Sequence, residues 1–224
     1  MADKSYFSRE LLQFLKELRR NNKRAWFQAN KQRYELAVRE PMLRFIADFG
    51  FHLHRISRHF VADARPIGGS MFRIHRDIRF TKDKSPYKTH AGAHFSHGKA
   101  EEGVHAPGFY LHLEPGGCFA AAGLWHPDSR TLVKVREAIV LRPEAWKKAC
   151  RGLTLEGESL NRPPRGYDPN HAFVEDLKRR DFVTSIDFSE AQVCSSGFLR
   201  DFAAASKRMS PLVEFLTKAV GLGW

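Results

Sequence analysis

Apolar positions recur at helical spacing from the start of the chain. Phe7 and the candidate cap Ser8 precede Leu11, Phe14, Leu15 and Leu18, which predicts a first amphipathic helix ending near Asn21 and Asn22. Trp26, Phe27, Asn30, Tyr34 and Val38 predict a second helix. Pro41 opens a third with Met42, Phe45, Ile46, Phe49, Leu53, Ile56 and Phe60 on one face and Gly50 as a weak point. Beyond Pro66, Gly68 and Gly69 the period falls to two. Phe72, Ile74, Ile78 and Phe80 then predict a strand over residues 72–80, with a second over 89–96. GFYLHLEPGGCFAAAGLW reads as a hairpin, because Pro115, Gly116 and Gly117 separate a pair of extended apolar runs. Helical patterns return over 129–141 and 143–150. A short strand, the loop NRPPRGYDP, a helix near 172–179 and a strand over 182–188 follow. Two closing helices are expected, the last capped by Ser210 with Pro211 at its first position.

This order predicts an α+β fold: one domain over residues 1–224, with a mainly antiparallel central sheet flanked by N-terminal and C-terminal helices. Within it lie a helical segment (1–62), a sheet core (70–126) and a mixed, mostly helical remainder (127–224). With 224 residues, 42% of them hydrophobic, the chain can fill a substantial core. No run of eighteen apolar residues occurs and the opening MADKSYFSRELL lacks a secretory centre, so a cytoplasmic protein without a membrane partner is expected. Cys118, Cys150 and Cys194 are odd in number and widely spaced, which suits reduced thiols.

Charge alters this picture, because the formal net charge of +12 is not spread evenly. Residues 1–88 hold 20 Lys and Arg against 9 Asp and Glu, while the remainder holds 17 against 16. Either the excess solvates helix surfaces or it meets an anionic partner: a phosphorylated or other anionic small molecule, bound or acted on by an enzyme, with a nucleic-acid-binding module or a non-catalytic structural or interaction protein as the alternatives. The densest stretch is RIHRDIRFTKDKSPYKT, residues 73–89. On an extended strand Arg76 would interrupt the apolar face, which requires either a structural ion pair or an anion site. The turn after it adds Lys82, Lys84, Tyr87 and Lys88 beside the stiffening Pro86. Arg73, Arg76, Arg79, Lys82, Lys84, Tyr87 and Lys88 are therefore candidate anion-binding residues. Asp77 is a candidate base, although a carboxylate among cations should have a lowered pKa. No Walker loop or dinucleotide fingerprint is present.

From FLKELRRNNKRAWFQANKQRY through RDIRFTKDKSPYKT and GFYLHL to RPPRGYD and PLVEFL, the chain resembles the bacterial family termed domain of unknown function 2461. The resemblance spans nearly the whole length and brings no activity with it. It implies a single-domain architecture with Arg73, Arg76, Asp77, Arg79, Lys82, Asp83, Lys84, Pro86, Tyr87 and Lys88 in the signature. His75 departs from it, since a tyrosine is expected there in many members, and this weakens a catalytic role for that histidine.

Among eleven histidines, His90 with His94, and His112 with Glu114, would share strand faces. No HExxH and no structural zinc spacing occurs, so no metal ligand and no cofactor is assigned. His112, in YLHLE, is the candidate general acid or base, against a structural imidazole. Arg162 and Arg165, in the proline-stiffened NRPPRGYDP loop, either join the same anion site or cap helix ends. Neither a serine nor a cysteine nucleophile can be assembled from the motifs. Oligomeric state and reaction type are left open.

Overall fold

A computed structural model describes residues 5–99 and 106–224. Helix α1 spans Arg9–Arg20. The Ser8 hydroxyl accepts the Glu10 N–H at its start, and Leu11, Leu12, Phe14, Leu15 and Leu18 form its buried stripe. The next helices are more continuous than the sequence suggests. α2 (Arg24–Ala29) and α3 (Lys31–Tyr34) lead through a π-helical turn, Glu35–Arg39, directly into α4 (Glu40–Ile56). Pro41 lies in the first turn of α4, immediately after the π-helical turn, and the continuous helix crosses it with one backbone N–H missing. The helix runs through Gly50 unbroken.

The strand expected over residues 72–80 does not form. Residues 74–76 instead make a two-bond ladder with 86–88: Arg76 N donates to Pro86 O (2.9 Å) and Lys88 N to Ile74 O (2.8 Å). The chain between them is a hairpin loop. Asp77 and Asp83 each accept the N–H two residues on, from Arg79 (3.2 Å) and Ser85 (2.9 Å), and such Asx turns compete with an extended backbone. The alternation fails accordingly: Ile74 is buried, whereas Phe80 is 91% exposed.

Four strands, β1 (Ala91–Ser96), β2 (Gly108–Leu113), β3 (Cys118–Leu124) and β4 (Phe182–Phe188), form an antiparallel meander in the order β1-β2-β3-β4. The β2–β3 turn uses Gly116 at φ 80°, closed by Gly117 N to Glu114 O at 3.0 Å. Both outer strands are flanked by loops. His94 N bonds Ser70 O and Phe72 N bonds Gly92 O beside β1, and Glu156 N bonds Val183 O beside β4. The short strand expected before NRPPRGYDP is reduced to isolated bridges at Glu156 and Ser159.

Helices α5 (Ser129–Leu141) and α6 (Pro143–Ala149) match their predicted spans, while the helix expected over 172–179 is one turn, α7 (Val174–Leu177). After α8 (Glu190–Val193), α9 runs from Phe198 to Ala219 without a break at Pro211. Proline cannot donate to the Lys207 carbonyl. The Ser210 hydroxyl does so instead at 2.8 Å, so the expected cap is an internal repair.

Alternation divides the sheet into two faces. Ala93, Phe95, Phe109, Leu111, Ala120 and Ala122 are buried in the main core with α1, α4 and the first half of α9. The second half of α9 supplies Leu212, Phe215 and Leu216 to a second cluster around Trp146, Ile139 and Phe182. One helix thus ties both cores into a single α+β domain. Among the described residues no helix is long and apolar enough to cross a membrane, and all three cysteines are free.

Candidate functional site

Among the described residues, the other face of the sheet carries no helix. Its residues are His94 on β1, Gly108, Tyr110 and His112 on β2, Phe119, Ala121 and Gly123 on β3, and Val183, Ser185 and Asp187 on β4. Glycines set the shape of this shelf. A Cβ on Gly92 would lie 2.6 Å from the Tyr110 hydroxyl, and one on Gly108 would lie 2.5 Å from His94 Nε2. The two rings therefore lean diagonally over neighbouring strands where no side chain stands. Above them is a cavity of about 920 Å³ walled by Phe72, His94, Tyr110, Phe119 and Trp125, with Asp187 and Glu156 among its few charged groups. A largely apolar hollow with a few convergent polar groups is the usual form of a small-molecule site.

Beside the cavity, behind Tyr110 and Phe119, lies a polar cluster. His112 stacks on Phe119 at 4.6 Å between centroids, and its Nδ1 is 2.9 Å from the Tyr110 hydroxyl. Its Nε2 is 3.3 Å from Glu114 Oε2. The other carboxylate oxygen, Oε1, accepts from Thr89 Oγ1 at 3.1 Å and from the Arg19 guanidinium. His90 lies against His112, with ring centroids 4.5 Å apart. Burial, then His112 and Lys88, push His90 down to about 4 against the pull of Glu114, so its imidazole is neutral at pH 7. Burial also lowers His112, partly offset by Glu114. Burial acts to raise Glu114, but the bonds from His112, Thr89 and Arg19 outweigh it and hold the group anionic. Burial and Glu114 raise Tyr110, which stays a phenol. His90, His112 and Glu114 each present one ligand atom, and these atoms lie within 4.8 Å of one another, so the three could hold a metal ion.

The residues expected from the sequence are divided by the fold. Tyr87 is 2% exposed and its ring stacks on Phe27 at 4.1 Å, so it anchors the hairpin rather than facing a ligand. Arg76 is paired with Asp83 and Arg79 with Asp77, while Lys84 Nζ donates to Ile78 O at 2.9 Å. These groups and Lys82 are on the hairpin loop, and none lines the cavity. Arg76, Arg79, Lys82 and Lys84 therefore do not converge on the cavity, and the two arginines are met by aspartates of the same loop. Asp77 is held at about 2 by its bonds from Arg79, so it is an exposed ion-pair member and a poor base.

Arg73 and Lys88 differ from these. Neither makes an ion pair among the described residues, and Lys88 Nζ sits 5.0 Å over the ring of Phe72, which walls the cavity. Burial and the adjacent Arg73 lower the Lys88 pKa, as expected of a cation without a carboxylate partner. Arg162 and Arg165 are exposed on a loop whose Tyr167 packs against the second core cluster, and neither lines the cavity. His112 and Glu114 share a face as their spacing predicts. Arg19, Tyr110 and the two glycines escaped the sequence reading. Tyr110 and the glycines could have been found only by setting AGAH against GFYLH in the right register, and Arg19 only from tertiary packing.

The fold and this face define the class: an α+β domain whose antiparallel sheet is packed on one side and open on the other. The chain belongs to the family described as conserved hypothetical protein, domain of unknown function 2461, whose family model matches residues 10–215. No curated protein and no solved structure matches the chain.

Proposed function

We propose that this is a cytoplasmic protein that binds an anionic small molecule on the open sheet face. The apolar body of the ligand would lie over Tyr110, Phe119 and Phe72, and its phosphate or carboxylate would meet Lys88 and Arg73. One observation carries this reading: Lys88, with Arg73 beside it, stands over Phe72 in the aromatic wall of a 920 Å³ cavity, and neither cation pairs with a carboxylate among the described residues. A half-buried ammonium beside a guanidinium gains from a bound anion that supplies the missing counter-charge. A reaction on the ligand would draw its proton through Tyr110, which lines the cavity and bonds His112; Asp77 lies outside that route.

The test is a thermal-shift screen of aromatic and aliphatic phosphates and carboxylates, followed by calorimetry on hits. Lys88→Ala should weaken binding about 10- to 100-fold, the worth of a charge-assisted bond, and Ala121→Trp should abolish it by filling the floor. Lys84→Ala should leave it unchanged. Equal affinity in wild type and Lys88→Ala, or equal loss in Lys84→Ala, would sink the proposal.

A second reading, nucleic-acid binding, draws on the hairpin loop. Phe80 is 91% exposed with the Arg79 guanidinium 5.5 Å from its ring centroid, and Lys82 and Lys84 stand nearby, a combination suited to stacking a base along a phosphate chain. Oligonucleotide binding that falls steeply with salt and is lost in Phe80→Ala would favour this second surface over the cavity.

A further inference from the structure

We propose that His90, His112 and Glu114 form a binding site for a divalent transition-metal ion, of the zinc class, at the β1–β2 end of the open sheet face. Two imidazoles and one carboxylate are the donor set such ions favour, and three protein ligands leave positions for water or a further ligand. The proposal stands on the geometry of these three residues and shares only its neighbourhood with the cavity.

The spacing suits a metal. Tetrahedral ligands about 2.1 Å from zinc stand about 3.4 Å from one another, and His112 Nε2 and Glu114 Oε2 are already 3.3 Å apart. His90 completes the set within 4.8 Å and makes no hydrogen bond with any described residue, so a side-chain adjustment of roughly an ångström brings it into place. The outer contacts are also those of a metal site. Glu114 divides its oxygens: Oε1 is fixed by Thr89 and Arg19, while Oε2 faces the imidazoles. His112 does the same with its nitrogens, keeping Nδ1 on the Tyr110 hydroxyl and Nε2 toward the centre. A metal on Nε2 requires the proton on Nδ1, and the phenol oxygen can accept it by rotating its own hydrogen away. Arg19 beside the carboxylate and Lys88 beside His90 make the surroundings cationic, so the open positions favour an anionic ligand.

The test uses the full chain, stripped with chelator. Zn²⁺ is titrated by calorimetry and Co²⁺ by visible absorption, with imidazole ¹H–¹⁵N spectra followed in parallel. One equivalent should bind, and the His90 and His112 ring signals should shift first among the eleven histidines. His90→Gln and His112→Ala should each weaken binding at least 100-fold. Tyr110→Phe, which touches no metal, should weaken it about tenfold, in line with outer-contact losses. His59→Ala, at the separate His59–His97 stack, should leave it unchanged. No binding at millimolar metal, or first shifts at other histidines, overturns the assignment, and the wild-type spectrum decides the matter even where a variant fails to fold. Metal binding without any cavity ligand, or the reverse, separates this site from the function proposed above.

Discussion

Asn22 is the bolt between the N-terminal helices and the signature hairpin, and its removal has a calculable effect. Its side chain acts as a short piece of backbone: Nδ2 donates to Tyr87 O at 2.9 Å, and Oδ1 accepts from Tyr87 N at 3.1 Å. Asn22→Ala deletes both bonds and leaves the Tyr87 amide and carbonyl without partners in a partly buried place. Each bond contributes about 0.5–1.5 kcal/mol net, and each stranded group costs about 1–3 kcal/mol unless water reaches it. With water relieving some of that penalty, a loss of about 2–4 kcal/mol is expected. For a chain of this length each kcal/mol lowers Tm by roughly 2–4 °C. Urea unfolding followed by circular dichroism should show a lower midpoint at unchanged slope. Asn22→Asp should recover little, because it keeps an acceptor for the amide but sets a carboxylate oxygen against the carbonyl. A loss under about 0.5 kcal/mol, the range of ordinary surface changes, would refute the reasoning and shift the anchoring to the ring contacts of Phe27 with Tyr87 and His75.

Three further outcomes follow from the packing and the charges. Trp146 is fully buried and its indole N–H donates to Asp176 at 2.8 Å, so Trp146→Ala should cost about 3–5 kcal/mol in guanidinium unfolding. Gly123 has φ 132° and an added Cβ would stand 2.0 Å from the Phe182 carbonyl oxygen; Gly123→Ala should cost upward of about 3 kcal/mol and lower soluble yield, while Ala121→Gly nearby should not. Bonds from Arg33 first, then Gln13, hold Glu17 below the ordinary carboxylate range. Its folded form therefore resists protonation, and its contribution, present at neutral pH, is lost as pH falls through that range. Glu17→Gln should flatten stability against pH between about 5 and 3, measured by urea midpoints across that window.

Local rules served the sequence reading where local interactions decide the outcome. The stripe of Leu11, Phe14, Leu15 and Leu18 behind Ser8 became α1, and the Pro143 start and the GFYLHL–CFAAAGL hairpin also formed. Residues 72–80 carry an equally regular alternation. There the aspartates turn the backbone on their own side chains, a competition that hydrophobic period does not register. Pro211 looked like a helix start because the rule counts the missing N–H and overlooks the Ser210 hydroxyl that replaces it. The charge of the signature segment was plain, but its pairing was not: Arg76–Asp83 and Arg79–Asp77 neutralise two of its six cations within the loop itself. His112 and Glu114 could be read as neighbours along one strand. His90, Arg19 and the shelf cleared by Gly92 and Gly108 depend on strand register and tertiary packing, which no single segment encodes.

The loops flanking β1 and β4 have a consequence for the company this molecule keeps. Ser70 and Phe72 bond the outer edge of β1 and Glu156 bonds Val183 on β4, so an incoming chain finds fewer free rungs on which to add a strand and fibrous growth from either margin is hindered. Copies that associate through the mouth of the groove would set assembly and ligand entry in competition for the same doorway.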